Sequence, residues 1–255
     1  MTTKIYGHRG VKGMYPENTL LSFKKAIEQG VDGLEIDVHL SRDGEVVVIH
    51  DETLERTTSG SGWIKDLTVA EIKQVSAGSL FSHFPNYEAE WDKEQVPTLN
   101  DVLELLAPYP VELNIELKTN EVEYEGIEEK VHKLVQGYGK NREVIYSSFH
   151  LPTILRLKKA EPTVKIAWLL NDGISLPHDY MDILDLEALH LNKSIILTNT
   201  KENQLLKEIY HQVRVWTVNE PGEIAQLLDL NINALITDFP ERALRIRDDG
   251  MRRHS

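Results

Sequence analysis

Three carboxylates and two histidines occupy positions at or near the ends of short segments rich in β-branched residues. The carboxylates are Glu35, Asp37 and Glu116, and the histidines are His8 and His50. Glu35 and Asp37 are two residues apart in an extended segment, so their side chains point to the same side. Carboxylates that share a dry interior repel one another unless a cation joins them. Because every donor is an oxygen, the cluster predicts one divalent cation, Mg²⁺ or Ca²⁺.

Each of these residues also has an interpretation without catalysis. Glu35 and Asp37 could form ion pairs with Lys or Arg, and a single histidine at a strand end often only packs. Glu116 and Lys118, which also point to one side, could form a salt bridge inside the fold. These alternatives stay open for each residue alone, whereas the joint occurrence at one edge of a fold favours a site.

Nine candidate strands alternate with helical patterns along the chain, which predicts βαβ units and parallel pairing. The segment Ser41-Arg42-Asp43-Gly44-Glu45 is too short for a parallel crossover, so Val46–His50 must run antiparallel to the strand before it. Without Val46–His50, eight strands remain, which predicts a TIM (β/α)₈ barrel. The nine candidates are Ile5–His8, Leu34–Leu40, Val46–His50, Val111–Lys118, Val144–Phe149, Lys165–Leu170, Ala188–Asn192, Val213–Val218 and Ala234–Thr237.

The hairpin allows a prediction of register. The dipeptide Asp43-Gly44 is typical of a two-residue type I′ turn. Counting outward from such a turn pairs Asp37 with His50, and Glu35 then shares their face. We therefore expect all three side chains together near the C-terminal rim of the barrel, where the chemistry of this fold takes place.

Between Asp51 and Val96 the strand pattern disappears, and the segment is too long for an ordinary loop. We interpret the chain as a single domain, residues 1–255, with an insertion subdomain at about 51–96 after the hairpin extension of strand 2. Thr68-Val69-Ala70-Glu71 predicts a short capped helix in it. Its large apolar residues could form a membrane- or alkyl-binding face, although a subdomain core is favoured. These residues are Trp63, Leu80, Phe81, Phe84 and Trp91.

The composition excludes several classes of function. The 255 residues include 28 Lys plus Arg and 41 Asp plus Glu, giving a net charge of −13. This surplus of negative charge repels a phosphate backbone, so we expect no nucleic-acid partner. The absence of cysteine excludes a disulfide framework, a zinc–thiolate site and a cysteine nucleophile.

No apolar segment has the length of a signal-peptide core or of a membrane span. We therefore expect a cytoplasmic location and no stable membrane anchor. The sequence does not indicate an oligomeric state. Among the other histidines, His39 should share the Asp37 face further out on the hairpin, and His190 is a candidate for the barrel interior.

Short motifs along nearly the whole chain carry a family resemblance. They are His8-Arg9-Gly10, Pro16-Glu17-Asn18-Thr19, Glu35-Ile36-Asp37-Val38, Asp43-Gly44, His50-Asp51, Thr53-Leu54-Glu55-Arg56-Thr57-Thr58, Glu116-Leu117-Lys118, Ser148-Phe149, Trp216-Thr217-Val218-Asn219 and Thr237-Asp238-Phe239-Pro240. In this order they resemble the glycerophosphodiester phosphodiesterase family, in its short, bacterial, cytosolic form. The resemblance implies a TIM barrel with a small insertion, in agreement with the strand count.

The resemblance also implies a reaction. It is the metal-dependent hydrolysis of small glycerophosphodiesters, such as glycerophosphocholine, glycerophosphoethanolamine or glycerophosphoglycerol, to glycerol 3-phosphate and an alcohol. The implied general acid and base are His8 and His50, in an unassigned order, and the implied ligands of Mg²⁺ or Ca²⁺ are Glu35, Asp37 and Glu116. Family members are thought to use the glycerol 2-hydroxyl as the first nucleophile, which gives a cyclic phosphate.

Further roles follow from the same resemblance. Arg9 would hold the phosphate through its planar fork, and Lys118 would add positive charge beside it. The remaining motif residues are candidates for the substrate pocket or its support, and they are Glu17, Asn18, Trp216 and Asn219.

Three alternative functions remain open. A lysophospholipase D-type enzyme would use the same barrel with an apolar groove, and whether lysophospholipids are cleaved is not readable from the sequence. A lyase or aldolase would use Lys118 in a Schiff base. A non-catalytic binding module would be expected to lack His8 and His50. The sequence does not separate Mg²⁺ from Ca²⁺ or define the released alcohol.

Overall fold

Eight parallel strands close into a barrel in the computed structural model, which describes residues 2–138, 142–198 and 201–254. The strands pair in chain order, and the first closes the barrel by pairing with both the second and the last. The predicted TIM barrel is therefore confirmed. The strands of the barrel are β1 (Lys4–His8), β2 (Gly33–Leu40), β4 (Glu112–Leu117), β5 (Val144–Ser148), β6 (Lys165–Leu170), β7 (Ala188–Asn192), β8 (Val213–Trp216) and β9 (Ala234–Thr237).

Helices surround the barrel and bury their apolar faces against it. In α1 (Leu20–Gln29), Phe23 and Ala26 are fully buried, and the Thr19 side chain accepts a hydrogen bond from the Ser22 amide as the N-cap. The other helices are α2 (Val69–Ile72), α3 (Leu99–Leu106), α4 (Ile127–Tyr138), α5 (Leu151–Ala160), α6 (Pro177–Ile183), α7 (Lys193–Leu197), α8 (Lys201–Leu206), α9 (Pro221–Asp229) and α10 (Pro240–His254). Shorter 3₁₀ helices cover Ile64–Asp66, Ser79–Phe81, Ala89–Lys93 and Lys207–Gln212. Among the described residues, no helix is long and apolar enough to cross a bilayer.

Strand β3 (Val46–Val48) is antiparallel to β2, as predicted, but the register of this hairpin differs. Val38 lies opposite Val48, and the Asp37 carbonyl accepts a hydrogen bond from the Ile49 amide at 3.1 Å. The prediction that Asp37 pairs with His50 was therefore wrong by one residue. Because β3 ends at Val48, the ladder itself does not set the direction of the His50 side chain.

The turn explains the shifted register. The Gly44 amide donates to the Ser41 carbonyl at 2.9 Å, and Gly44 has φ +79°. The Ser41 amide donates in turn to the Glu45 carbonyl at 3.0 Å, so Arg42, Asp43 and Gly44 form a three-residue loop. This arrangement is a type I turn followed by a left-handed glycine. An Asp-Gly pair suits both this loop and the two-residue turn, so sequence alone did not separate them.

The segment between β3 and α3 has its own small apolar cluster. Leu54, Ile64 and Ile72 are fully buried in it, and the predicted capping box at Thr68 begins α2. The aromatic residues form a second group, in which the rings of Phe84 and Trp91 are 6.4 Å apart. Phe81 and Trp91 are buried, whereas Trp63 and Leu80 are exposed.

Polar side chains are also buried in the interior of the barrel. At the N-terminal end, the Arg214 guanidinium donates to the Tyr6 hydroxyl at 2.8 Å, and that hydroxyl also bonds Glu112. His190 is fully buried, and neither of its ring nitrogens bonds a described residue. Burial and the nearby Arg214 lower the pKa of His190 well below its ordinary value, so this imidazole is neutral.

Candidate active site

The C-terminal ends of the barrel strands surround a cavity of about 300 Å³. Seven residues were predicted to be catalytic, phosphate-binding or metal-binding, and five of them line it, namely His8, Arg9, Glu35, His50 and Glu116. The rest of the lining includes apolar and amide side chains, among them Phe149, Leu169, Asn171 and Trp216. The cavity therefore combines a charged part with an apolar part, as small-molecule binding sites commonly do.

The three predicted carboxylates meet because β2 and β4 are neighbours in register. Asp37 lies beside Glu116 in the sheet, and Glu35 lies two residues before Asp37 on the same face. One oxygen from each carboxylate lies within 4.8 Å of those from the other two, and all three residues are buried. This spacing allows three oxygens to contact a single ion.

Burial and mutual repulsion set the charges of this cluster. Burial raises the pKa of Glu35 well above its ordinary value, and the Asp37 charge adds to that shift. Burial also raises the pKa of Glu116. Burial would raise the pKa of Asp37 too, but the positive charges of Arg9 and Lys118 hold it well below its usual range. Two of the three carboxylates thus lack sufficient positive charge among their neighbours, and a divalent cation would supply it.

One oxygen of Asp37 tests whether the cluster suits a cation. The Oδ2 atom accepts a hydrogen bond from the Asn18 amide at 2.9 Å and lies 3.1 Å from Arg9 Nε. The Oδ1 atom is buried and accepts no hydrogen bond from any described residue, with Lys118 Nζ 3.9 Å away. An orphaned carboxylate oxygen beside two further carboxylates is a donor set that fits Mg²⁺ or Ca²⁺.

His8, at the end of β1, is held by a carboxylate from the other side of the barrel closure. Its Nδ1 lies 2.6 Å from Oδ1 of Asp238, the residue after β9. Burial opposes ionisation of Asp238, but the His8 hydrogen bond lowers the pKa of Asp238 to about 2. An ionised carboxylate only accepts, so His8 Nδ1 carries the proton, and Nε2 is available toward the cavity. Burial lowers the pKa of His8 itself.

His50 has the same arrangement on the other part of the rim. Its Nδ1 lies 2.6 Å from Oδ1 of Asp51, and its Nε2 lies 3.2 Å from Lys118 Nζ. The Lys118 ammonium is also 3.0 Å from Glu116 Oε1. His39, buried beneath the hairpin, lies 3.0 Å from the His50 carbonyl through its Nε2. Both candidate histidines therefore direct Nε2 inward and bind a carboxylate through Nδ1.

Arg9 reaches the cavity from a left-handed backbone position, with φ +51°. Its amide donates to the carbonyl of Glu35 at 3.0 Å and to Oε2 of Glu35 at 3.1 Å. Its guanidinium donates to Glu17 at 2.7 Å. These bonds fix the direction of the side chain toward the carboxylate cluster.

The backbone after Arg9 makes a close approach that only glycine permits. Gly10 has φ +89°, and a Cβ atom there would lie 2.3 Å from Ser22 Oγ and 2.7 Å from the Ser22 carbonyl carbon. We expect Gly10→Ala to lower the free energy of unfolding by roughly 2 kcal/mol or more, since φ strain and overlap both contribute. The measurement is the thermal midpoint. Gly250→Ala is the matched control, because nothing lies within 4 Å of its Cβ position in α10, and the same change there should raise stability slightly.

The residues predicted to form or support the substrate pocket lie in different places. Trp216 lines the cavity and its ring centroid lies 5.4 Å from that of Phe149, edge to face. Glu17, Asn18 and Asn219 do not line it: Asn18 bonds Asp37, and Asn219 Nδ2 donates to Asp238 Oδ2 at 2.7 Å. Glu17 supports Arg9, which lines the cavity. The two asparagines support carboxylates behind it, Asp37 of the cluster and Asp238, the partner of His8.

Sequence reasoning missed the carboxylates that hold the histidines. Asp51 directly follows His50, and Asp238 directly follows the last barrel strand. Both lie in motifs that carry the family resemblance, but neither was predicted as a site residue. For Asp238, a carboxylate at the end of a barrel strand was the available signal. Lys12 and Asn171 also line the cavity, and no pattern in the sequence marked them.

The barrel, with histidines and carboxylates around a cavity at its C-terminal rim, has the architecture of TIM-barrel enzymes. Residues 8–242 match the model of the glycerophosphoryl diester phosphodiesterase family. A glycerophosphodiester phosphodiesterase of Bacillus altitudinis is 38% identical over 97% of this chain and 99% of its own length. One from Caldanaerobacter subterraneus subsp. tengcongensis is 36% identical over 98% of this chain and 100% of its own.

A solved structure supports the same assignment. The Oleispira antarctica phosphodiesterase in complex with the product sn-glycerol-3-phosphate is 30% identical, with a TM-score of 0.84 and coverage of 97% of each chain. The present chain belongs to the glycerophosphoryl diester phosphodiesterase family. It is thus an enzyme of a hydrolase class, as the motifs predicted.

Proposed function

We propose that this enzyme hydrolyses small glycerophosphodiesters to glycerol 3-phosphate and an alcohol, with His8 and His50 as general acid and base. The observation that carries the proposal is the shared geometry of these histidines in one cavity. Each bonds an ionised carboxylate through Nδ1, at 2.6 Å, and directs Nε2 toward the cavity, where Lys118 Nζ lies 3.2 Å from Nε2 of His50. The relatives named as glycerophosphodiester phosphodiesterases, and the related structure that holds glycerol 3-phosphate, support the choice of substrate class.

In the proposed reaction, the Nε2 atom of one histidine takes the proton of the glycerol 2-hydroxyl as its oxygen attacks phosphorus. The Nε2–H of the other histidine donates its proton to the departing alkoxide. The phosphorus–oxygen bond to the alcohol breaks, and a cyclic phosphate forms. Water then opens the ring with the two histidines in reversed roles, which regenerates both protonation states.

The charged groups around the cavity would hold the phosphate and its developing charge. Arg9, fixed by Glu17, presents guanidinium donors to the phosphate oxygens. Lys118 adds a second positive charge, since Glu116 and Asp37 raise its pKa despite burial. Glu35, Asp37 and Glu116 would bind the divalent cation, which when bound supplies charge that neutralises a phosphate oxygen.

The alternatives are weaker on this structure. Lys118 carries a raised pKa and contacts Glu116 at 3.0 Å, so it is protonated and unsuited to Schiff-base attack. A non-catalytic module does not require two histidines with matched carboxylate partners. For a lysophospholipase D, Phe81 would have to leave the buried aromatic group to form a membrane face.

The test is an assay of the purified enzyme with Mg²⁺ or Ca²⁺ on glycerophosphocholine, glycerophosphoethanolamine, glycerophosphoglycerol and a lysophospholipid. Release of glycerol 3-phosphate from one of the first three, at a higher kcat/KM than for the lysophospholipid, is expected. Faster turnover of the lysophospholipid, together with vesicle binding that Phe81→Ser removes, would replace the proposal with the lysophospholipase D function. No turnover of any diester would refute both functions.

The 2-hydroxyl route gives a separate prediction. A substrate analogue in which hydrogen replaces the 2-hydroxyl should be inert, because it lacks the proposed nucleophile. It should still bind, since its phosphate is unchanged, and act as a competitive inhibitor of the natural diester. Hydrolysis of this analogue at the normal rate would exclude the cyclic intermediate and point to direct attack by water.

A further inference from the structure

Arg56 lies outside the cavity, yet its guanidinium joins two carboxylates that contact the candidate site. Its Nε and Nη2 atoms donate to Asp51 at 2.6 and 2.8 Å. Its Nη1 and Nη2 atoms donate to Glu17 at 3.0 and 2.9 Å. All three nitrogens are therefore engaged, and both contacts are of the bidentate kind that the planar fork permits.

Each of these carboxylates also contacts a residue that lines the cavity. Oδ1 of Asp51 lies 2.6 Å from His50 Nδ1. Oε1 of Glu17 accepts a hydrogen bond from Arg9 Nη1 at 2.7 Å. Arg56 is thus the central member of one continuous series of hydrogen-bonded side chains, which begins at Arg9, a candidate phosphate ligand, and ends at His50, a candidate acid or base.

Neither of the carboxylates that Arg56 holds lies in a strand. His50 and Asp51 follow the end of β3 at Val48, and Glu17 lies in the loop between β1 and α1. The Asp51 side chain is 25% exposed, so a hydrogen bond to one of its oxygens alone would not prevent rotation. Arg56 holds both oxygens of Asp51 and both oxygens of Glu17, and thereby ties the two loops together.

We propose, on the basis of the proposed function, that Arg56 is a positioning residue which sets the orientations of His50 and Arg9 together without contacting substrate. Through Asp51 it keeps Nε2 of His50 directed at the cavity. Through Glu17 it fixes the guanidinium of Arg9 beside the carboxylate cluster. Removal of Arg56 should therefore impair both proton transfer and phosphate binding.

The experiment compares Arg56→Gln and Arg56→Lys with the wild-type enzyme on its best diester. We expect a roughly 10- to 100-fold loss of kcat in both, with a higher KM, by analogy with groups that orient catalytic side chains elsewhere. Lysine keeps the charge but not the fork, so it should not restore activity. The same change in an Asp51→Asn background should lower kcat by much less than in the wild type, because the path to His50 is already interrupted.

Arg42→Gln is the matched control. Arg42 also ties the hairpin to the segment after β3, by donating to the Asp66 carbonyl at 2.8 Å and to Glu71 at 3.1 Å. It has no contact with Asp51 or Glu17, so its replacement should leave kcat and KM unchanged. Equal thermal midpoints for Arg42→Gln and Arg56→Lys would separate positioning from general destabilisation.

A readout independent of turnover separates this inference from the proposed function. Nitrogen NMR of the histidine rings, with His50 assigned by comparison with His50→Gln, reports which ring nitrogen is protonated. We expect Arg56→Gln, but not Arg42→Gln, to shift His50 away from the Nδ1–H form. An unchanged His50 spectrum together with unchanged kinetics would overturn the role of Arg56. Inactivity of the wild type on every diester would refute the proposed function, and the NMR comparison would still decide whether Arg56 orients His50.

Discussion

Replacement of His8 or His50 by alanine is expected to lower kcat by about 10²- to 10⁴-fold, the usual contribution of a positioned acid or base. Both side chains end in the cavity, so their removal leaves little unfilled space in the core. Asp238 keeps its hydrogen bond from Asn219 when His8 is absent. We therefore expect thermal midpoints close to that of the wild type, with KM changed much less than kcat.

The control for these variants is His178→Ala. His178 is half-exposed on α6 and does not line the cavity, so its loss should leave kcat unchanged. If His8→Ala and His50→Ala turn over at the wild-type rate, neither histidine is the acid or the base. In that case the hydrogen bonds from Nδ1 of each histidine to a carboxylate serve only to stabilise the C-terminal rim of the barrel.

A change of leaving group distinguishes the two histidines. A p-nitrophenyl ester of glycerol phosphate releases a phenolate that needs no protonation. The variant that lacks the general acid should therefore recover most of its activity on this ester, while the variant that lacks the base should not. Recovery by one variant alone assigns the roles of acid and base, which the matching Nδ1–carboxylate bonds of His8 and His50 leave open.

The fold could be predicted from the sequence because a TIM barrel is defined by its number of parallel strands. Nine candidate strands, with one excluded by a connection too short for a parallel crossover, left eight, and the structure has these eight in order. The convergence of Glu35, Asp37 and Glu116 followed from alternation along β2 and β4. Such features depend only on the periodicity of side chains and on strand pairing.

The finer geometry depended on interactions that the pattern does not contain. The loop at Gly44 added one residue to the turn and moved Ile49, instead of His50, opposite Asp37. His50 still reaches the cavity because Asp51 and Lys118 contact its ring, and both contacts are tertiary. Likewise, Asp238 meets His8 only because β9 closes the barrel against β1, a relation between the two ends of the chain.

Removal of divalent cations should abolish activity, and restoring Mg²⁺ or Ca²⁺ should recover it. The three buried carboxylates repel one another, so a cation should also stabilise the fold, by about 2.7 kcal/mol at a concentration 100-fold above Kd. A rise in the thermal midpoint on adding either ion to chelator-treated enzyme is the measurement. The size of this rise, measured separately for Mg²⁺ and for Ca²⁺, shows which ion stabilises the enzyme more, independently of turnover.

The pKa shifts give this stabilisation a definite dependence on pH. Burial raises the pKa values of Glu35 and Glu116 above their unfolded values, so without a cation these groups favour the folded state below about pH 4.5. That contribution is lost as the pH rises through the raised values, because two buried carboxylates must then ionise. A cation binds the ionised forms, so the gain in stability from Mg²⁺ or Ca²⁺ should be larger at pH 8 than at pH 5.

Glu116→Gln and Glu112→Gln provide a matched pair of variants, since both residues lie on β4 and face the barrel interior at opposite ends. Glu112 bonds Lys4 and Tyr6, so Glu112→Gln should lower stability and keep the response to cations. Glu116→Gln removes one repelling charge, so the chelated protein should be as stable as the wild type or more stable, while the response to cations disappears. Full activity in excess chelator, or an unchanged cation response in Glu116→Gln, would show that the carboxylate cluster has another role. Glu116→Gln is thus expected to keep or raise the stability of the chelated protein and to abolish the binding of cations. This combination is typical of a functional site, in which repulsion among carboxylates is retained although it lowers stability.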